Sequence, residues 1–150
     1  MMINSIIEAI AIALNGEFGD DYRVYVERER QDLKEPCFFI SCLNPTHTRI
    51  LGRRYFRENS FVIQYFPQDR QREKEECNDT AERLNDCLEW ITVKGDNVEG
   101  DPVMGSQMRY EIVDGVLNFF VHYNFFVVRP RTVETMGSVE IFQSEKSERR

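Results

Sequence analysis

The sequence has 150 residues, of which 41% are hydrophobic and 30% charged, and this predicts one soluble globular domain. The formal net charge is −7, which argues against a general nucleic-acid-binding protein because such a protein normally presents a basic face. No stretch approaches the roughly 20 apolar residues of a membrane span, and the first apolar run lacks the basic leader of a signal peptide.

The chain opens with a predicted helix and a short strand. Apolar residues recur at helical spacing from Ile3 to Leu14, which predicts an amphipathic helix of roughly 13 residues that packs on a sheet and stops at Gly16 or Gly19. From Tyr22 to Glu29 apolar and polar residues alternate, and this predicts a half-buried strand.

Three further strands are predicted in the next 30 residues. The apolar run from Cys37 to Leu43 is typical of a central strand, and Asn44-Pro45 is expected to end it because proline cannot donate to a strand ladder. Residues 48–56 and 61–66 then predict two strands around the connection Arg57 to Ser60.

An arginine cluster stands out on these strands because the chain as a whole is acidic. One interpretation is a solvated strand face with cross-strand ion pairs, and another is a protein interface or a patch that meets phosphate. Arginine suits protein contacts because it grips carboxylates with two parallel hydrogen bonds. The cluster consists of Arg49, Arg53, Arg54 and Arg57.

The middle of the chain predicts a second helix. Apolar residues recur at helical spacing from about Arg72 to Glu89, and the charged run in its first turns is its exposed face. Thr92-Val93 is a possible short strand, and the turn-forming residues up to Val103 predict a loop.

A hairpin from Gln107 to Val128 is the strongest structural signal in the sequence. Asp114-Gly115 suits a two-residue turn with positive φ angles. The pair Val113–Val116 adjoins the turn, and the pairs Ile112–Leu117, Tyr110–Phe119 and Met108–Val121 form an apolar face. The other face is mixed, with the pairs Glu111–Asn118, Arg109–Phe120 and Gln107–His122.

The sequence carries no motif for catalysis, for a metal or for a cofactor. Nothing in the sequence pairs His47 or His122 with a nucleophile or with a second metal ligand at the spacing of a known motif. Glycine-rich phosphate loops are absent from the sequence. The four cysteines lack the spacing of a metal site and predict buried, reduced thiols of a cytoplasmic protein: Cys37, Cys42, Cys77 and Cys87.

Several local patterns, in their order and spacing, resemble the small tail-terminator proteins of long-tailed phages and prophages of Gram-positive bacteria. The resemblance covers about residues 1–129, which we take as one domain, and we expect residues 130–150 to form a flexible polar tail. It is carried by the opening segment 3–19, by Glu35 to Ile40 with Leu43-Asn44-Pro45, by Gly52-Arg53-Arg54-Tyr55, by Phe61 to Pro67, and by Met108 to Tyr123.

This resemblance implies an α/β fold of the α+β type, with a mainly antiparallel sheet flanked by two helices. It implies a non-enzymatic structural protein that forms a homo-oligomeric ring, usually of six copies, on the end of the tail tube. The expected partners are the tail tube protein and the head-tail connector protein, in the bacterial cytoplasm during assembly and then in the virion tail. DNA would pass through the ring without specific binding, because carboxylates repel phosphates.

Two other functions remain open from the sequence. One is a head-completion or connector protein of the same phage. The other is a small enzyme or ligand-binding domain that uses the mixed hairpin face, with Arg109, Glu111 and His122, and that would need a deep pocket there.

Overall fold

The computed structural model describes residues 2–26, 34–95 and 99–129, so the predicted tail of residues 130–150 lies outside the described residues. The described residues form an α+β fold in which the main sheet is mostly antiparallel, which confirms the fold class expected from the resemblance. No helix in these ranges is long and apolar enough to cross a membrane.

The described ranges contain two helices and eight strands. They are α1 (Ile3–Phe18), β1 (Arg23–Tyr25), β2 (Cys37–Leu51), β3 (Arg54–Phe66), α2 (Glu73–Cys87), β4 (Trp90–Val93), β5 (Asp101–Met104), β6 (Ser106–Val113), β7 (Val116–His122) and β8 (Phe125–Val128).

Both helices pack on one face of the main sheet. Helix α1 ends at Gly19, whose φ of 85° suits a residue without a side chain. Helix α2 carries three acidic residues in its first turn, where the positive end of the helix dipole favours negative charge. The buried side chains of the helices and the sheet form one core; they include Ile6, Ile10, Leu14, Ala81, Leu84, Phe38, Phe61, Ile63, Leu117 and Phe119.

The main sheet has the strand order β1-β2-β3-β7-β6, and β8 also pairs with β3, beyond the end of β7. The pair β1–β2 is parallel, while the other pairs of this sheet are antiparallel. Strands β4 and β5 form a separate two-stranded sheet. Residues 54–57 of β3 pair with β8 and residues 60–65 pair with β7, so this one long strand runs from the β8 end of the sheet into its centre.

The predicted end of the central strand at Asn44-Pro45 is wrong. Strand β2 continues to Leu51, and the register shifts between Leu43 and Thr46, so Asn44-Pro45 occupies a bulge. A bulge tolerates proline because the extra residues are not needed in the ladder.

The connection between the next two strands also lies elsewhere than predicted. The chain turns at Gly52-Arg53, where Gly52 has a φ of 59°, and residues 57–60 lie within β3. The predicted strand from residue 48 to 56 is therefore the end of one strand and the start of the next. Strand β1 is also shorter than the predicted range 22–29, of which residues 27–29 lie outside the described residues.

The hairpin forms around Asp114-Gly115 as predicted, and its register is confirmed for five pairs, from Val113–Val116 to Arg109–Phe120. The predicted pair Gln107–His122 is wrong, because a register shift places Ser106 opposite His122 and Gln107 adopts a φ of 50°. The second strand of the hairpin also breaks after His122 and resumes as β8 at Phe125.

Candidate interaction surface

Three strand segments extend past the core and form what we call the arm. They are the end of β2 and the start of β3, which together with their turn make up residues 46–58, and strand β8. Every residue from 44 to 54 is exposed. At the usual rise of a strand, the eight residues from 44 to 51 span roughly 25 Å. A hairpin of this length would be unusual in isolation, and β8 supports it by pairing with Arg54 to Arg57.

One face of the arm is mostly apolar and exposed, and Arg54 also lies on it. Cross-strand pairing places Leu51 opposite Arg54 and Arg54 opposite Val128, and the next pair along is Phe56–Phe126. The Phe56 and Phe126 rings lie 4.8 Å apart. The exposed fractions are 80% for Leu51, 65% for Phe126 and 60% for Val128. Clustered exposure of this kind marks an interaction surface rather than the scattered apolar residues of an ordinary protein exterior.

The opposite face of the arm is cationic and aromatic. The His47 ring stacks on Tyr55 with the ring centroids 4.6 Å apart. The guanidinium of Arg129 lies 5.5 Å from the centroid of the same Tyr55 ring, and that of Arg57 lies 5.8 Å from the centroid of Phe125. Stacking of this kind holds the long arginine side chains in place over the aromatic rings.

All four arginines that the sequence singled out lie on the arm, but in different surroundings. Arg49 donates from Nε to the carbonyl oxygen of Gly52 at 2.8 Å and so closes the turn. Arg53 and Arg54 are exposed at the tip, whereas Arg57 is half-buried against Phe125. Arg53 and Arg54 are therefore the two whose charges are most available to a partner.

Sequence reasoning missed the contribution of β8 to this surface. Phe126, Val128 and Arg129 join the arm from about 70 residues further along the chain. Their only sequence signal is an apolar strand that continues after the hairpin, and nothing in that pattern indicates where the strand pairs.

Asn59 holds the root of the arm. It is completely buried, and its Nδ2 donates to the carbonyl oxygen of Tyr123 at 2.9 Å. Its backbone N–H donates to Oδ1 of Asn124 at 3.0 Å, and the backbone N–H of Tyr123 donates to the Asn59 carbonyl at 2.8 Å. These bonds satisfy backbone groups where the chain passes from β7 to β8, and so they fix the direction in which the arm leaves the core.

The three candidate residues on the mixed face of the hairpin, Arg109, Glu111 and His122, each contact different neighbours and do not form one site. The guanidinium of Arg109 lies 4.1 Å from the centroid of the Phe120 ring, and Glu111 is exposed opposite Asn118. The Nδ1 atom of His122 is 3.2 Å from Oγ of Ser60.

The Ser60–His122 contact is the one feature of this face that resembles part of a catalytic site, because it places a serine hydroxyl beside a histidine ring. A serine nucleophile needs a base that a third group orients. The nearby Ser106 hydroxyl contacts the backbone carbonyl of His122 and not its ring. The contact therefore reads as a cross-strand polar pair that ties β3 to β7.

The thiols are free and weakly reactive. Burial, with a smaller contribution from Glu35, raises the pKa of Cys37 to about 11. Burial followed by Glu76 and Glu73 raises the pKa of Cys77 to about 11, so both thiols stay protonated at neutral pH. Within the described ranges, no group of three or more histidine, cysteine, aspartate or glutamate side chains is placed to hold a metal ion.

A sequence model of a protein family matches residues 5–135, a range that contains the whole arm. The family is described as "Phage tail terminator protein". The search of curated proteins found no match. The family model covers well over half of the chain, and its range agrees with the extent of the resemblance read from the sequence.

Proposed function

This chain belongs to the phage tail terminator family, and we propose on that premise that copies of it close into a ring on the end of the finished tail tube. The ring stops polymerisation of the tube and offers a surface to the head connector. Family membership makes the protein a structural component of the phage tail, which is its place in the virion. Assembly takes place in the cytoplasm of the bacterial host.

The exposed arm is the observation that carries the ring proposal. A projecting strand hairpin with a free apolar face promotes unwanted pairing unless another surface covers it. A closed ring covers it by using one patch of each copy against a different patch of the next copy. The arm is suited to be one of these two patches because it reaches past the core of its own subunit.

The apolar surface that the arm exposes is enough for a weak contact between two copies, which a ring of several copies would strengthen. Burying a large apolar side chain fully contributes about 1.5–3 kcal/mol, and the three exposed side chains Leu51, Phe126 and Val128 are already partly covered, so each adds on the order of 1–2 kcal/mol. Lost freedom of motion on association offsets much of this sum. Two copies alone would therefore bind weakly, while a closed ring, or a ring templated by the tube end, would be stable.

The charge distribution suits a ring around DNA. The chain is acidic overall, with a formal net charge of −7, yet the arm is rich in arginine. If the arm is covered by the next copy, the surface that remains is more acidic than the chain as a whole. An acidic channel lets DNA pass because its phosphates are repelled rather than bound.

Charge reversal at the arm tip tests this function. We expect Arg53→Glu/Arg54→Glu to weaken ring formation and tube capping at least tenfold. The matched control is Lys34→Glu/Lys74→Glu, which changes the net charge equally at exposed positions outside the arm. Solution mass by light scattering reports the ring, and tube length by electron microscopy reports capping. Equal behaviour of the two variants would remove the arm tip from the contact.

A further inference from the structure

The small sheet of β4 and β5 carries a second exposed apolar patch, which we call the ribbon patch. Trp90 pairs with Met104, and the next exposed pair along the same face is Thr92–Pro102. Trp90 is 56% exposed and Met104 is 51% exposed, whereas the intervening pair Ile91–Val103 is buried in the core. The sheet therefore shows its outer face, with a tryptophan and a methionine, to solvent.

Within the described ranges, the exposed large hydrophobic side chains form two groups and a few isolated positions. One group is the arm and the other is the ribbon patch. The isolated positions are Met2 and Ile12, ten residues apart, and Tyr110 and Val113, which point to opposite faces of β6 because side chains alternate along a strand. Contact between two different patches requires two such groups on each copy.

Among the residues that the structure describes, neither patch is covered by its own chain. Phe126 on the arm and Trp90 on the ribbon patch are both more than half exposed in the same chain, so the arm does not cover the ribbon patch of its own subunit. A contact between unlike patches on two copies is head-to-tail, and such contacts close into a ring when the rotation between copies allows it.

Charge and side-chain chemistry match the two patches to each other. The arm and the adjoining Arg129 together carry five arginines against the single acid Glu58. Among described residues from 86 to 104 the balance is reversed, with four acids against Lys94. Tryptophan is the aromatic side chain that best attracts a guanidinium, and tryptophan, methionine and arginine are all enriched at the centres of protein interfaces. The four acids are Asp86, Glu89, Glu99 and Asp101.

We infer that the ribbon patch of one copy is the receptor for the arm of the next copy, with the Trp90–Met104 pair against the apolar face of the arm and the flanking acids near its arginines. This inference rests on the proposed ring and names the two surfaces that close it. The acidic outer face of α2 is a weaker receptor because the described residues of that helix expose no large apolar side chain to cover the arm.

Trp90 provides the readout because it is the single tryptophan of the chain. An exposed tryptophan emits at long wavelength and is quenched readily by iodide. On assembly, with or without tail tubes, we expect a shift of the emission to shorter wavelength and at least a threefold loss of iodide quenching. The Arg53→Glu/Arg54→Glu variant should show neither change.

Substitution of the receptor is the second measurement. We expect Met104→Gln to weaken assembly at least tenfold. The matched control is Ile12→Gln, because Ile12 is 55% exposed and belongs to neither patch, and it should change assembly less than twofold. Both variants alter exposed side chains, so circular dichroism should show both folded.

The outcomes separate this inference from the proposed function. A ring that forms while the emission and quenching of Trp90 stay unchanged would overturn the receptor assignment and leave the ring intact. A shift that appears on tail tubes and persists in the Arg53→Glu/Arg54→Glu variant would assign the ribbon patch to the tube protein instead. Absence of any ring, in solution and on tubes, would overturn both proposals.

Discussion

Replacing Asn59 with alanine should loosen the root of the arm without touching its surface. The substitution removes the hydrogen bond from Nδ2 to the Tyr123 carbonyl, which is 2.9 Å long and completely buried. Leaving a buried carbonyl without its donor costs about 1–3 kcal/mol. For a domain of this size each kcal/mol lowers the unfolding temperature by roughly 2–4 °C, so we expect a decrease of about 2–12 °C.

The assay is thermal and urea unfolding followed by circular dichroism, with assembly measured in parallel under conditions where the variant is fully folded. We expect assembly to weaken as well, because the direction of β8 depends on Asn59 and Asn124. Asn78→Ala is the control, since Asn78 is exposed and bonds only at the surface with Tyr110, and it should change stability by less than about 0.5 kcal/mol. Equal stability of the two variants would refute the role assigned to Asn59.

Two further predictions concern the core. A Cβ at Gly105 would lie 2.8 Å from the Leu88 carbonyl oxygen and 2.9 Å from Cγ2 of Val121, so Gly105→Ala should destabilise by about 1–3 kcal/mol in urea unfolding. Gly16→Ala, in α1 with open space around it, should instead stabilise by about 0.5–1 kcal/mol; the opposite order would contradict the packing described. Burial raises the pKa of Cys77 from 9.0 to about 11, so its thiol ionises first in the unfolded chain, and its contribution to stability is full below pH 9 and lost as the pH rises towards 11. The urea midpoint of the wild type should therefore fall more steeply between pH 9 and 11 than that of Cys77→Ala, and parallel curves would count against a buried thiol.

The hairpin of β6 and β7 could be predicted from the sequence because the physical cause of its register lies within the chain. One face is covered by the helices, so apolar side chains must recur at every second position. The turn residues Asp114 and Gly115 both take positive φ angles of the kind that such a turn needs. Five cross-strand pairs followed from these two constraints alone.

The arm could not be predicted in the same way because no described residue of the chain buries its apolar face. Its strands show no clean alternation, so the polar run Arg57-Glu58-Asn59-Ser60 resembled a turn, while in the structure it lies within β3. The break between β7 and β8 was also hidden. The break depends on hydrogen bonds from Asn59 to Tyr123 and Asn124, which lie 64 and 65 positions further along the chain. No local sequence pattern encodes contacts at that distance.

The sequence composition was enough to single out the four arginines of the arm, but the structure was needed to assign a role to each of them. An acidic chain with a local basic cluster draws attention to that cluster. Only the structure separates the turn-closing Arg49 and the stacked Arg57 from Arg53 and Arg54 at the exposed tip. The ribbon patch had no sequence signal, because the pattern predicted only a possible short strand at Thr92-Val93 and a loop up to Val103, whereas Trp90 and Met104 lie exposed on paired strands.

Electron microscopy of tail tubes incubated with the purified protein tests the central claim most directly. We predict a closed ring at one end of each tube, and no further growth from that end when more tube protein is added. Arg53→Glu/Arg54→Glu should leave the tubes uncapped and growing. Tubes that keep growing in the presence of the wild-type protein, or a protein that binds DNA-filled heads but not tube ends, would contradict the account.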